Sequence, residues 1–139
     1  FKDLIEKIMN KKEQLNGGNT KDVPFVLKIS PDESMKNLEK IFISCMDFKV
    51  DGLILNNSST KHKKNLDGGI SGNYIREISE KNLMFAKDFC GDKISLISSG
   101  GIMTAKDVAK RIDLGAELIQ LYSGFIFSGT DLLKESLEI

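Results

Sequence analysis

Apolar residues along this chain alternate between two rhythms, positions spaced three and four apart and short unbroken aliphatic runs. Leu4, Ile5, Ile8 and Leu15 predict an amphipathic helix, which Asn16-Gly17-Gly18-Asn19 ends with residues suited to a left-handed cap. Pro24-Phe25-Val26-Leu27-Lys28-Ile29 reads as a buried strand. Ser30-Pro31-Asp32-Glu33 has the spacing of a capping box with proline at the first helical position. Met35, Leu38, Ile41, Phe42, Cys45 and Met46 then supply the core face of a second helix. Gly52-Leu53-Ile54-Leu55-Asn56 is the second strand, and after a polar loop Ile75, Ile78, Phe85, Ala86 and Phe89 mark a third helix. Ile94-Ser95-Leu96-Ile97-Ser98 is the third strand. Thr104 offers a cap for a helix whose core face carries Val108, Ala109 and Ile112, with Gly115 as its stop. Leu118-Ile119-Gln120-Leu121-Tyr122 is the fourth strand, and Thr130 offers a cap for a last helix that the chain leaves unfinished.

A weak internal echo orders these elements. Asp47-Phe48-Lys49-Val50-Asp51-Gly52-Leu53-Ile54-Leu55 and Asp113-Leu114-Gly115-Ala116-Glu117-Leu118-Ile119-Gln120-Leu121 each place a short turn between a helix and an aliphatic strand. That is the joint of a parallel α/β sheet. Four such strands fit half of a (β/α)8 barrel or a small doubly wound sheet, and spacing alone does not choose between them. A complete barrel needs roughly 250 residues, whereas this chain has 139.

Composition narrows the function. The chain is 40% hydrophobic and 29% charged with no net charge, as expected of a soluble globular protein and without electrostatic attraction for nucleic acid. No apolar run approaches the roughly 18 residues that span a bilayer, and the first residues lack the layout of a signal peptide. Cys45 and Cys90 fall on separate predicted helices and read as reduced interior thiols, with no metal site expected. Overlapping Asn-x-Ser sequons begin at Asn56 and Asn57, but they close an aliphatic strand rather than lie on a surface loop, and are discounted as glycosylation sites.

The candidate chemistry gathers where strands end. Lys28 interrupts an aliphatic strand, Asn56-Asn57-Ser58-Ser59-Thr60 closes the second, Ser99-Gly100-Gly101 the third and Tyr122-Ser123-Gly124 the fourth. Carboxyl ends of parallel strands form the functional face of α/β folds. Paired glycines there let backbone N–H groups approach a phosphate, so a phosphorylated cofactor is the natural ligand. On residues alone, Lys28 fits either a charge-stabilising ammonium or a side chain that snorkels to water. Asn57 fits recognition of an amide edge or a turn, Gly68-Gly69 and Ser71-Gly72 a phosphate loop or a turn, and Tyr122 the site or the core. The Lys61-His62-Lys63-Lys64 run reads as a solvated loop, with phosphate attraction the alternative.

Five segments, in order and at matching spacing, resemble the motifs of class 2 (quinone-dependent) dihydroorotate dehydrogenases. They are Val26-Leu27-Lys28-Ile29-Ser30-Pro31-Asp32, Asn57-Ser58-Ser59, Gly68-Gly69-Ile70-Ser71-Gly72, Ser99-Gly100-Gly101-Ile102 and Gln120-Leu121-Tyr122-Ser123. The resemblance covers nearly the whole chain and implies the carboxyl-terminal half of a flavin-binding (β/α)8 barrel, with residues 1–139 as a single partial domain. It implies FMN as cofactor, dihydroorotate oxidised to orotate in pyrimidine synthesis, and a quinone as electron acceptor. Lys28 would contact the flavin ring and stabilise its charge, Asn56 would approach FMN, and Asn57 with Ser58 would bind orotate. Ser71, Gly72, Gly100, Gly101, Leu121, Tyr122 and Ser123 would hold the ribityl phosphate end. Departures from the family pattern are mild: Ser30 replaces a common alanine, and serines at 58, 59 and 123 replace common threonines while keeping the hydroxyl.

The resemblance also implies what this segment lacks. The catalytic base, a serine on an earlier strand, the first flavin loops, and the amino-terminal helices for quinone and membrane attachment all precede the matched region. Quinone contact, the remainder of the barrel, and placement on the mitochondrial inner membrane or a bacterial cytoplasmic membrane are expected through that part. Nucleic-acid binding and membrane contact by this segment itself are not expected. Two other readings stay open at this point, a catalytically inactive half barrel serving as a binding or assembly module and another phosphate-binding barrel enzyme.

Overall fold

The computed structural model describes residues 1–17, 22–62 and 67–138. Its elements run α1 (Lys2–Asn16), β1 (Val26–Ile29), α2 (Met35–Asp47), β2 (Gly52–Leu55), α3 (Arg76–Cys90), β3 (Ser95–Ser99), α4 (Ala105–Asp113), β4 (Leu118–Gln120) and α5 (Ser123–Leu137). A short 3-10 turn, Gly72–Ile75, leads into α3. The four strands pair in parallel in the order β1-β2-β3-β4. A doubly wound sheet reverses its strand order at a switch point, and this one does not. This order is the one that consecutive βα units take in an arc of a (β/α)8 barrel.

Strand alternation divides the arc into two faces. Leu53, Leu55 and Leu96 are sealed against the helices together with Ile5, Leu38, Phe42, Leu83 and Ala86. Phe42, Phe85 and Phe89 form a ring trio with centroids 5.8–5.9 Å apart that fixes α2 on α3. The opposite face carries Lys28, Ile54, Ile97 and Leu118 side by side in register, and Leu118 is 62% exposed. Cys45 and Cys90 are free and buried on the helix side, and burial pushes their thiols up to about 12 and about 11. Among the described residues no helix is long and apolar enough to cross a membrane, and no group of three His, Cys, Asp or Glu is placed to hold a metal.

The echoed joints are the same structure. After α2, Lys49 N–H bonds the Met46 carbonyl and Val50 N–H the Cys45 carbonyl; after α4, Gly115 N–H bonds Ile112 and Ala116 N–H bonds Arg111. Both are Schellman turns, with positive φ at Lys49 (53°) and Gly115 (97°).

Several local expectations are corrected. Gly17 has φ −61°, so it is not a left-handed cap; Gly18 and Asn19, like Lys63 and Lys64, lie outside the described residues. α2 begins beyond Pro31, with Ser34 as the cap accepting from Asn37 N–H. Asp32 is drawn away by the loop after β2. Ile75 belongs to the 3-10 turn rather than to α3, and Ile78 lies at the surface. On α4 the Thr104 cap stands, with a reciprocal bond from Asp107. Its inward residues, however, are Asp107, Val108 and Arg111, while Ile112 is 47% exposed. α5 is two helical segments joined at a non-helical Gly129: the last begins at Thr130, where the sequence places it, and one that the sequence reading does not foresee begins at Ser123.

Candidate functional site

A cleft of about 490 Å³ opens beyond the carboxyl ends of the strands. β1 brings Lys28 to it, the segment after β2 brings Asn56, Asn57 and Ser58, and the loop before α3 brings Gly69, Ser71 and Gly72. The ends of β3 and β4 add Gly100 and Gly101, then Gln120, Leu121, Tyr122 and Ser123. Every residue to which the family resemblance gives a role thus borders one cavity. Gln120 belongs to a motif but carries no role from the sequence. Here its Oε1 accepts a 2.7 Å hydrogen bond from Lys28 Nζ, so Lys28 turns across the inner face instead of running out along its strand.

The β2 segment is pinned from both sides. Asn56 N–H donates to the Ser99 carbonyl at the end of β3 (2.7 Å), and Asn57 N–H to the Ile29 carbonyl at the end of β1 (3.0 Å). Beyond it, Asp32 accepts from Ser59 Oγ (2.5 Å), Thr60 N–H (2.7 Å) and Thr60 Oγ1 (3.0 Å). Burial raises the Asp32 carboxyl, but these bonds outweigh it and hold the group below its ordinary value. Ser59 in turn pairs through its backbone with Ile70. Gly69 lies so close to Ser58 that a Cβ would collide with its hydroxyl. Ser71 Oγ and Ser123 Oγ lie 2.8 Å apart, closing the far side.

Asn56 is completely buried, yet its Nδ2 and Oδ1 both lack a hydrogen-bond partner. An unsatisfied buried amide costs about 1–3 kcal/mol, and this one lies at the edge of the cleft. Asn57 is exposed to the cleft.

Gly100 and Gly101 turn the chain out of β3 with φ 91° and 76°, which glycine alone adopts cheaply. A Cβ at Gly101 would run into the backbone of Arg76. Their carbonyls are taken from behind, Gly100 by Arg111 Nη2 (3.2 Å) and Gly101 by Arg76 Nε (3.2 Å). Among the described residues neither glycine's amide donates to the protein. α5 begins beside them, its first turn closed by Ile126 N–H on the Tyr122 carbonyl. Tyr122 is 76% exposed, which removes it from the core. His62 Nε2 sits 2.9 Å from the Gly68 carbonyl and stays in the loop.

Sequence reasoning misses Arg76, Arg111 and Glu80, which support this turn. The available signal is spacing: Arg111 follows Val108 by three residues and Asp107 by four, on one helical face.

The model of the dihydroorotate dehydrogenase family matches residues 2–138. A dihydroorotate dehydrogenase (quinone) from Neisseria meningitidis serogroup C is 36% identical over 143 residues, covering 97% of this chain and 42% of the relative. One from Dichelobacter nodosus is 31% identical over 144 residues, covering 99% and 42%. A crystal structure of dihydroorotate dehydrogenase from Eimeria tenella in complex with ferulenol superposes with a TM-score of 0.87 at 24% identity, over 99% of this chain and 42% of that one. The ligand-free Eimeria tenella enzyme gives 0.75 at 27% identity, over 81% and 33%. The chain therefore spans under half the length of the relatives it matches, and it belongs to the dihydroorotate dehydrogenase family.

Proposed function

We propose that residues 1–139 form one partial domain of a longer dihydroorotate dehydrogenase, supplying the FMN-phosphate and orotate contacts. The whole protein oxidises dihydroorotate to orotate in pyrimidine synthesis and passes the electrons to a quinone. The observation that carries this reading is the buried, unpartnered Asn56 amide in a cleft shared with the turned-out glycines. That donor set fits FMN: an amide for the polar edge of the flavin, and free backbone N–H groups for the phosphate. When bound, FMN supplies two-electron redox chemistry.

The roles of this chain's residues follow from their positions. Lys28 places an ammonium on the inner face, held by Gln120, to stabilise negative charge that develops on the flavin ring. Asn56 offers its donor and acceptor to FMN. Asn57, with Ser58, presents a donor and an acceptor to the amide edge of orotate. Ser71, Gly72, Gly100, Gly101, Leu121, Tyr122 and Ser123 hold the ribityl phosphate end, in the arrangement of late strand loops and a helix start frequently used by barrels. The base that removes the C5 proton and the quinone-binding segment belong to the part of the relatives' length that this chain does not match. Through that part the protein attaches peripherally to the mitochondrial inner membrane in a eukaryote, or to the cytoplasmic membrane in a bacterium.

The test is to purify the longest natural form and assay dihydroorotate oxidation with a quinone. A flavin-coloured, active protein is expected. A folded protein that stays colourless and inactive after FMN reconstitution overturns the reading.

A further inference from the structure

Arg111 is the largest fully buried side chain among the described residues, at 0% exposure on the inward face of α4. A buried charge is retained only where it is paired and hydrogen-bonded. Its Nη1 donates to Ser98 Oγ (3.3 Å), and its Nη2 to the carbonyls of Arg76 (3.1 Å) and Gly100 (3.2 Å). Nε faces Glu80 Oε1 at 3.8 Å. Arg76 repeats the device one residue on: Nε holds the Gly101 carbonyl, and Nη2 lies 2.9 Å from Asp107 Oδ2. That carboxylate oxygen also accepts from Met103 N–H, Thr104 N–H and Thr104 Oγ1, each at 2.9 Å.

A trans peptide is planar, with its carbonyl and the following N–H on opposite sides. Fixing the Gly100 carbonyl toward Arg111 therefore sets the Gly101 N–H away from it, and fixing the Gly101 carbonyl toward Arg76 does the same for Ile102 N–H. Gly100, Gly101 and Ile102 all border the cleft. Two guanidiniums thus aim successive backbone amides while touching nothing in the cleft themselves.

We propose that Arg111 and Arg76 are positioning residues that hold the Gly100-Gly101 turn as a preformed phosphate cradle, so that the site selects a phosphorylated flavin over its unphosphorylated form. This rests on the reading of the turn as the phosphate end of the FMN site. Arg111→Lys keeps the charge but loses the fork that spans Ser98, Arg76 and Gly100.

The test uses the longest natural form of the protein, stripped of flavin, with FMN and riboflavin titrated separately by fluorescence quenching. Wild type is expected to prefer FMN. Arg111→Lys is expected to weaken FMN by about 10-fold or more and riboflavin by about twofold or less, since a lost charge-assisted bond acts only through the phosphate. Equal weakening of both ligands shows a packing role, and no change in either shows no role; each overturns the proposal. Wild type without preference for FMN overturns the phosphate reading itself, and this proposal with it. If Arg111→Lys does not fold, Arg76→Gln, at a guanidinium that is 35% exposed, is titrated with the same two flavins. Selective loss of FMN then supports the proposal, and equal loss or no change overturns it.

Discussion

Lys28 Nζ and Gln120 Oε1 meet at 2.7 Å although they come from the first and last strands, 92 residues apart. In a flat sheet those strands would lie about 14 Å from each other. The curl that this chain shares with the barrel it superposes on shortens that span, and the bond places an ammonium over the concave face. The partner of Lys28 there is a neutral amide oxygen, and both residues border the cleft. Lys28→Ala in the full-length enzyme is expected to slow flavin reduction by about 10-fold or more at unchanged flavin content, measured by stopped-flow absorbance.

The two neighbouring asparagines separate cleanly. Asn57→Ala is expected to weaken orotate by about 10- to 100-fold, the cost of one unpaired buried amide, and to leave FMN in place. Asn56→Leu removes a buried amide that has no partner in the ligand-free protein. It is expected to raise ligand-free stability by about 1 kcal/mol while lowering FMN affinity, a trade common at binding sites. Orotate titration, flavin content and denaturant midpoints distinguish the two.

The Asp107 carboxyl is raised by burial but brought below its ordinary value by Met103 N–H, the Thr104 hydroxyl and amide, and Arg76. A depressed carboxyl contributes stability that is present above its unfolded pKa and lost as pH falls through the folded one. The full-length protein is therefore expected to lose stability below about pH 4, and Asp107→Asn to be less stable at pH 7 with a flatter acid limb. Urea midpoints between pH 3 and 7 measure this.

The two Schellman turns place different residues at their positive-φ position, Lys49 in one and Gly115 in the other. At Lys49 a Cβ sits at positive φ, so Lys49→Gly is expected to be neutral or stabilising by up to about 1 kcal/mol. Gly115→Ala is expected to destabilise by more than that, since a Cβ there would also lie 2.8 Å from Lys87 Cδ. Thermal midpoints of both variants give the comparison.

Residues 1–139 expressed alone are expected to associate. The row containing Ile54, Ile97 and Leu118 lies on the open face, and β1 and β4 each leave one edge unpaired. Light scattering and denaturant unfolding test this; a cooperatively unfolding monomer is the contrary result.

The aliphatic runs locate all four strands in the sequence because a strand sealed on one face against helices needs little beyond local hydrophobicity. The strand ends are equally legible, since glycines, asparagines and a lysine have few reasons to sit there otherwise. What fails is local grammar overruled from a distance. Pro31 and Asp32 have the spacing of a helix start, but Asp32 is committed to Ser59 and Thr60 on another loop. Ile112 has the right character for a core and the wrong angle, while Arg111 has the angle and satisfies its charge on carbonyls that no periodicity reveals. The curl that brings Lys28 to Gln120 is invisible for the same reason.

Because the strands pair in chain order, each ladder joins neighbours along the sequence, and its loop closure involves only the intervening helix. The cleft is different, since it needs the first strand and the last at once. Recognition is therefore the least local property of this chain. A ligand that touches both ends ties them against separate opening, adding a stability that rises with its concentration.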